Sequence, residues 1–388
     1  MDQNCELLIG ALARSIAGKA YALPENVDWE RVMCLAQAHD ICPLFCDGLR
    51  KVPEYWQQVP EQIRQKLQQK YMKAIYWEAQ RDYIRDQLKQ RLTQEQVPHV
   101  FLKGICLKEL YPEPALRTMS DIDALVYTRD YGKIGNIAAD LGGVPCESDG
   151  NHNNFRFKNG VLVEFHPNLL HHSAFVGAQM NPGWQYVKQN GESSAMEMTE
   201  EGLYLNVLCH LAHHFVCGGV GVRFVMDVWV CRNLWKSQPD RVKVEQELAQ
   251  MGLLEFARNI EALAECWFGS ESMTEKLEEL GEYILTSGTH GTLDRAILNA
   301  VTLVPGGSPV AALWKKAFYP KGELEDRFPW CKGKPMLLPA AWFARAWGAV
   351  TKRGNLIQEW GKGVGSVGRE EARQQREMLR RFGIKISE

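Results

Sequence analysis

The feature that most constrains this chain is a pair of aspartates, two residues apart, in an otherwise apolar stretch. Asp121 and Asp123 alternate with Ile122, and the apolar residues 124–126 follow. Residues two apart on a β-strand point to the same face, so the two carboxylates lie side by side. Like charges this close are costly unless a cation neutralises them. Carboxylate oxygens are ligands that Mg²⁺ prefers, so the pattern predicts a Mg²⁺ or Mn²⁺ site on a strand.

A lysine–glycine turn precedes this pair. Residues 99–102 form a short apolar strand that ends at Lys103 and Gly104, and a short helix follows. A glycine at a strand-to-helix turn lets backbone approach a phosphate, while the helix offers amides and the lysine a positive charge. Without the acidic pair, the Lys103-Gly104 turn would be interpreted as an ordinary structural turn. With Asp121 and Asp123 close behind it, it predicts a site for the triphosphate of a nucleotide.

Glu164 is the third acidic candidate. It lies in the apolar run 161–166, which follows the strong hairpin signal Asn159-Gly160. A carboxylate among apolar neighbours is costly unless it is paired or bound to metal. If this strand lies beside the Asp121 strand, three carboxylates converge, as a metal-assisted phosphoryl-transfer site requires. The alternative is an edge strand with Glu164 in water.

Two arginines are further candidates. Arg117 lies four residues before Asp121. Its positive charge either binds a phosphate or compensates the negative charge of the two aspartates. Arg223 and Asp227 are four residues apart on a predicted helix and share one side of it. Either they form an intrahelical ion pair, or Arg223 faces the nucleotide.

Histidines form two groups whose roles the sequence leaves open. The first has helical spacing that suits a zinc pair, but Leu211 stands where the metalloprotease motif needs glutamate, which favours a buried or cleft-lining cluster. It consists of His210, His213 and His214. The second group lies at and just after the end of the Glu164 strand, where we expect it to border the pocket for the molecule that accepts the transferred phosphoryl group. It consists of His166, His171 and His172.

The order of predicted elements divides the chain into three parts and indicates an α+β fold. Residues 1–95 have helical periodicity, 96–195 alternate short strands and helices, and 196–388 return to helices. The central part predicts a small mixed sheet. The charged last helix, within residues 368–383, is expected to be peripheral.

Composition narrows the partners and the compartment. The net charge of -2 gives no strong nucleic-acid signal, and no apolar run approaches the roughly 20 residues needed to span a membrane. Eleven cysteines are dispersed without a CxxC pair, and the first residues lack the basic start of a signal peptide. We therefore expect a cytoplasmic protein with reduced thiols and no membrane partner.

The stretch LKGICLKELYPEPALRTMSDIDALV resembles the nucleotidyltransferase superfamily of DNA polymerase β type, and more closely the bacterial nucleotidyltransferase family 5. The resemblance extends to VLVEFHPNL, to the helix at His210 to His214 and to RFVMDVWV. It is good over residues 100–235 and loose over 30–345. It implies a polymerase β-type core with a small mixed sheet, flanked by N- and C-terminal helical regions.

The resemblance also implies residue roles. The two aspartates bind metal, the third carboxylate binds metal and activates the acceptor, and the glycine turn holds the triphosphate. These roles fall on Asp121, Asp123, Glu164 and Gly104. Two positions depart from the superfamily pattern: Ile105 stands where a serine or glycine usually follows the turn, and Glu164 replaces the usual aspartate. Lys103 offers a compensating contact, as in related abortive-infection toxins with a Lys-Gly turn.

The resulting expectation is a magnesium-dependent enzyme that moves a nucleoside monophosphate from an NTP such as ATP to an acceptor. The acceptor is a small molecule, a protein or RNA. The expected nucleotide-binding residues are Lys103, Gly104, Arg117 and Arg223. Two alternatives stay open: a non-catalytic nucleotide-binding or scaffold protein on the same fold, and a toxin-like tRNA nucleotidyltransferase.

Overall fold

The computed structural model describes most of the chain. It covers residues 1–146, 153–169, 183–189, 191, 193–236, 238–289, 291–317, 321, 324–325 and 328–385. His171 and His172 lie outside the described residues.

Helices precede the sheet. They are α1 (Gln3–Ala17), α2 (Trp29–Ala38), α3 (Cys42–Arg50), α4 (Pro53–Gln58) and α5 (Glu61–Gln94). Asp2 and Asp28 cap α1 and α2, because their carboxylates accept the backbone N–H of Cys5 and Arg31. The helical character predicted for residues 1–95 is confirmed, and α5 is the longest of these helices.

A five-stranded mixed sheet follows. The central elements are β1 (His99–Phe101), α6 (Gly104–Lys108), β2 (Asp121–Val126), α7 (Tyr131–Asp140), β3 (Val144–Pro145), β4 (Asn153–Arg156) and β5 (Leu162–His166). The strand order is β1-β2-β5-β4-β3, and only the β2–β5 pair is parallel. The hairpin predicted at Asn159-Gly160 joins β4 to β5, with Gly160 at a φ of 90°.

The two faces of this sheet have opposite character. Ile122, Val163 and Phe165 are fully buried and pack with α5 and α7 in one hydrophobic cluster. Because side chains alternate along a strand, Asp123 and Glu164 lie on the other face. The register sets these two acids directly opposite each other on β2 and β5. The acids therefore lie on the face opposite this cluster, beside Leu125, which is buried in a second hydrophobic cluster.

The rest of the chain is mainly helical. It contains β6 (Val187–Lys188), β7 (Glu197–Met198), α8 (Glu200–Cys217), α9 (Val222–Asn233), α10 (Arg241–Gln250), α11 (Leu254–Phe268), α12 (Glu275–Leu285), α13 (Leu293–Thr302), α14 (Pro309–Ala317), α15 (Leu338–Ser366) and α16 (Arg369–Arg381). Thr199 caps α8, since its hydroxyl accepts the Gly202 N–H at 3.0 Å. The expected α+β class with a small mixed sheet between helical regions is confirmed.

The second and larger hydrophobic core joins both helical regions. Helix α1 packs against α3 and α11, and buried residues of α8, α9 and α11 belong to the same cluster. Leu379 of α16 is also part of it, together with Phe382. The expectation of a peripheral last helix is thus wrong, because its few apolar residues fall on one side and are buried. The division of the chain at residues 95 and 195 stays a prediction.

Within the described parts of the chain, no helix has the length and apolar character that crossing a membrane requires.

Candidate active site

The polar face of the sheet gathers three potential metal ligands. One ligand atom from each of Asp123, Glu164 and His166 lies within 4.8 Å of the other two. His166 Nε2 is 2.7 Å from Asp123 Oδ1 and 3.6 Å from Glu164 Oε2. Since an ionised carboxylate can only accept, the imidazole donates its Nε2–H to Asp123. The strand register creates this cluster, because Asp123 and Glu164 are directly paired and His166 is two residues further along β5.

Asp121 lies on the same strand face but outside this compact set of three. Its Oδ2 accepts the Ser120 hydroxyl at 2.8 Å. Burial, followed by the charge of Asp123, raises the pKa of Asp121 to about 6. Glu164 raises that pKa further, while Lys103 opposes the shift. Asp121 is therefore close enough for the charges of Asp123 and Glu164 to raise its pKa. Its ionised form is costly without a nearby cation.

This donor set fits a hard divalent cation. Two carboxylates stand on neighbouring strands, and a third, Asp121, has a raised pKa that an added positive charge would lower again. Oxygen-rich sites of this kind suit Mg²⁺ or Mn²⁺. The imidazole of His166 adds a ligand type that Mn²⁺ and other transition metals accept more readily than Mg²⁺ does.

The Lys103–Gly104 turn has a strained backbone. Lys103 has a φ of 35° and a ψ of -102°, a region in which non-glycine residues are uncommon. Such strain clusters at functional sites and persists only where surrounding contacts hold it. The Leu107 N–H closes the turn on the Lys103 carbonyl at 2.7 Å. A Cβ added at Gly104 would lie 3.2 Å from Met119 Sδ and 3.4 Å from Arg117 Nη1, so the turn packs against the loop before β2.

A buried charge network anchors α6 behind this turn. Lys108 is almost fully buried and forms short ion pairs with Glu78 and Asp82 of α5. Arg81 pairs with Glu78 and donates from Nη1 to the Met119 carbonyl at 2.9 Å. Dense charge on a helix usually indicates a solvated face, but Glu78 and Arg81 of α5 are buried. These buried charges of α5 hold both α6, through Lys108, and the loop before β2, through the Met119 carbonyl.

Arg117 is held by a residue of α9 that is 110 positions away. Its Nε and Nη2 both donate to the Asp227 carboxylate at 2.7 Å, and the Tyr111 hydroxyl donates to the same carboxylate at 2.7 Å. Of the two alternatives for Arg223, the intrahelical ion pair with Asp227 is not formed, because the planar fork of Arg117 takes both carboxylate oxygens. Burial lowers the pKa of Arg117, but Asp227 outweighs that effect and raises it above its usual value.

Arg223 instead turns to the loop before β2. Its Nη1 donates to the Thr118 carbonyl at 2.7 Å, and Asp40 Oδ2 lies 3.3 Å away. Burial and the charge of Arg117 lower the pKa of Arg223. A guanidinium with a depressed pKa beside a second guanidinium is a position where an anionic ligand would be stabilising.

The α8 histidines border these cations. Nε2 of His210 and Nε2 of His214 are 3.0 Å apart, so one donates to the other, and both rings pack against Phe224. Burial and Lys103 together hold the pKa of His210 well below its usual value. In the part of the chain that the structure describes, no set of three potential metal ligands includes an α8 histidine. The zinc interpretation has no support there, and a half-buried, cation-flanked cluster is what is observed.

The position of His166 could be predicted from the sequence, whereas its contact could not. Alternation along β5 sets its side chain on the same face as that of Glu164. Its contact with Asp123 depends on the parallel pairing of β2 and β5, which no local pattern specifies.

A comparison with protein families gives a match that covers more than half of the chain. The model of a family described as uncharacterised nucleotidyltransferases matches residues 25–269, from just before α2 to the end of α11. The chain belongs to this family of nucleotidyltransferases. Curated proteins give no match to it, and neither do solved structures.

Proposed function

We propose that this protein is a divalent-metal-dependent enzyme that transfers a nucleoside monophosphate from an NTP to an acceptor in the cytoplasm. The proposal rests on one observation: Asp123 and Glu164 lie directly opposite each other on the parallel strands β2 and β5. Asp121 lies beside them on β2. Residues 96–195 would form a core of polymerase β type, with the acids facing the Lys103–Gly104 turn.

Three acids would hold the metal in this scheme. When bound between Asp121, Asp123 and Glu164, Mg²⁺ or Mn²⁺ supplies charge neutralisation for the triphosphate and for the oxygens that exchange at the α-phosphorus. His166 orients Asp123 through its 2.7 Å hydrogen bond. Asn154 Nδ2 lies 3.4 Å from Glu164 Oε1 and limits the rotation of that carboxylate.

Glu164 would act on the acceptor. It takes the proton of the acceptor hydroxyl as the acceptor oxygen forms a bond to the α-phosphorus. The bond between the α-phosphorus and the bridging oxygen to the β-phosphate breaks, and pyrophosphate leaves with that electron pair. Little covalent chemistry falls on the protein, so positioning and charge stabilisation supply most of the rate.

The triphosphate would lie over the turn, where positive groups collect. Lys103 acts electrostatically on Asp121 on one side and on His210 and His213 on the other. Arg117 has two of its nitrogens engaged by Asp227, and its Nη1 remains beside Gly104. Arg223 borders the same loop through Thr118. Lys103, Gly104, Arg117 and Arg223 are our proposed nucleotide contacts.

Two isotopic labels test the proposed reaction. The protein is incubated with Mg²⁺ or Mn²⁺, a bacterial extract as acceptor pool, and each NTP labelled at either the α- or the γ-phosphate. Nucleotidyl transfer moves only the α-label to a product and releases the γ-label as pyrophosphate. Transfer of the γ-label would mean phosphoryl transfer instead. NTP binding without any transferred label would support a non-catalytic nucleotide-binding protein, and α-label found only on tRNA would support the toxin-like alternative.

Lys103→Ala should weaken NTP affinity by about 10- to 100-fold, the loss expected for one hydrogen bond to a charged group. Lys103→Gly should show the same loss, and since glycine accepts the positive φ, that loss cannot come from backbone strain. Lys133→Ala, on the exposed surface of α7, is the matched control. Titration calorimetry with Mg²⁺–NTP measures the affinities, and unchanged values in both Lys103 variants would make the turn purely structural. Substituting Gly104 is less informative, because a side chain there also presses on Met119 and Arg117.

A further inference from the structure

Exposed apolar side chains concentrate in one short part of the chain. Among the described residues, half of the large hydrophobic side chains that are exposed lie between Val310 and Leu337 or on the first turns of α15. Every exposed tryptophan and phenylalanine of the described chain is there. We refer to the following exposed residues, grouped by their nearness in the chain, as the C-terminal apolar face: Val310, Trp314, Trp330, Met336, Phe343 and Trp347.

The start of α15 has the reverse of an ordinary surface-helix pattern. Its exposed residues up to Trp347 are all apolar: Pro339, Ala340, Phe343, Ala344, Ala346 and Trp347. Phe343 and Trp347, one turn apart, stack with ring centroids at 6.4 Å, and they are 69% and 65% exposed. A surface helix normally directs charged side chains to water, as α16 does with Glu370 and Arg373. A contiguous exposed apolar stripe of this kind marks an interaction site.

The same region is strongly basic. From Pro309 to Ser366 there are ten lysines and arginines against four aspartates and glutamates, although the whole chain has a net charge of -2. Exposed Lys332 and Lys334 lie between Trp330 and Met336, so positive charge and apolar surface alternate within one segment. A partner for this face should therefore be both apolar and anionic.

We propose that the C-terminal apolar face docks on an anionic lipid surface. Tryptophan and phenylalanine prefer the boundary between lipid headgroups and acyl chains, and exposed aliphatic side chains insert beside them. Lysines close to the surface are attracted to anionic headgroups. This docking goes beyond nucleotidyl transfer, and it differs from the expectation, drawn from sequence, of no membrane partner.

Two other occupants suit the face less well. A second copy of this chain would bring two basic segments together, and like charges oppose that contact. A single-stranded nucleic acid would use the aromatic rings for base stacking. It would leave the aliphatic side chains without a role, and Met336 and Val310 are 93% and 74% exposed.

Vesicle flotation with the full chain tests the proposal. The protein should float with vesicles of equal parts phosphatidylcholine and phosphatidylglycerol, and much less with phosphatidylcholine alone. Phe343→Ser with Trp347→Ser should reduce partitioning at least about tenfold, because the protein loses two aromatic rings that would enter the lipid. Lys332→Glu with Lys334→Glu should reduce it on anionic vesicles, and added salt should weaken the wild type. The matched control is Tyr76→Ser with Tyr83→Ser, which removes two exposed rings from α5 and should change nothing.

Several results would overturn the proposal. They are equal flotation with neutral and anionic vesicles, or an equal loss in the α5 control. Sedimentation analysis and RNA binding are measured on the same variants. If the wild type does not float and Phe343→Ser with Trp347→Ser instead abolishes self-association or RNA binding, the face belongs to a second copy or to a nucleic acid. Because the readout is lipid binding, the outcome is independent of whether nucleotides are transferred.

Discussion

Asp123→Asn should lower the rate of α-label transfer by at least about 10³-fold while leaving the fold intact. Asparagine has the same shape as aspartate and can still accept the hydrogen bond that His166 donates at 2.7 Å. It lacks the negative charge that a divalent cation requires, and loss of metal-assisted charge stabilisation costs several kcal/mol of barrier. Steady-state label transfer measures the rate, and circular dichroism confirms the fold.

Glu164→Gln should lower the same rate by about 10²–10⁴-fold, the range for loss of a positioned general base. If both acids serve one site, the double variant should lose little more than the worse single variant, since residues that act as a unit are not additive. Asp140→Asn is the matched control, because its carboxylate is exposed at the end of α7 and pairs with Arg91. Full activity in Asp123→Asn would exclude this face of the sheet as the catalytic site.

Local patterns were sufficient for the strands that carry the acids. Alternation set Asp121 and Asp123 on one face, and the Asn159-Gly160 turn fixed the hairpin that presents Glu164. Neither pattern specifies that β5 pairs with β2 in parallel. That pairing goes together with the burial of Ile122, Val163 and Phe165 against α5 and α7, a tertiary contact that lies outside local sequence patterns.

Charged residues were the harder part to predict. Spacing on a helix favoured an Arg223–Asp227 pair, yet a bidentate partner far along the sequence takes Asp227. Dense charge on a helix such as α5 is typical of a solvated face, whereas Glu78 and Arg81 are buried with Lys108. In both cases the sequence reveals the charge but not its burial, and burial decides which partner is energetically required.

The ion pair between Arg117 and Asp227 links the candidate active site to α9. Both side chains are nearly inaccessible, at 7% and 6% exposure. Arg117 begins the loop that leads into β2, and its partner also accepts the Tyr111 hydroxyl. Breaking one member of a buried pair leaves an uncompensated charge, which costs about 3–5 kcal/mol.

Asp227→Asn should therefore lower the free energy of unfolding by about 3–5 kcal/mol, and by more than Arg117→Met does. Without Asp227, the guanidinium groups of Arg117 and Arg223 repel each other, and the charge of Arg117, after burial, already lowers the pKa of Arg223. Arg117→Met removes that repulsion and leaves the carboxylate with the Tyr111 hydroxyl. The difference between the two variants thus reports the proximity of the two arginines.

Urea unfolding measures both free energies, and Arg373→Met is the matched control. Arg373 makes contacts of 2.7 and 3.0 Å with Glu370 and Glu377, and all three side chains are 62% exposed. Loss of such a surface pair should cost less than about 1 kcal/mol. If Asp227→Asn costs no more than this control, the buried pair does not hold the loop before β2.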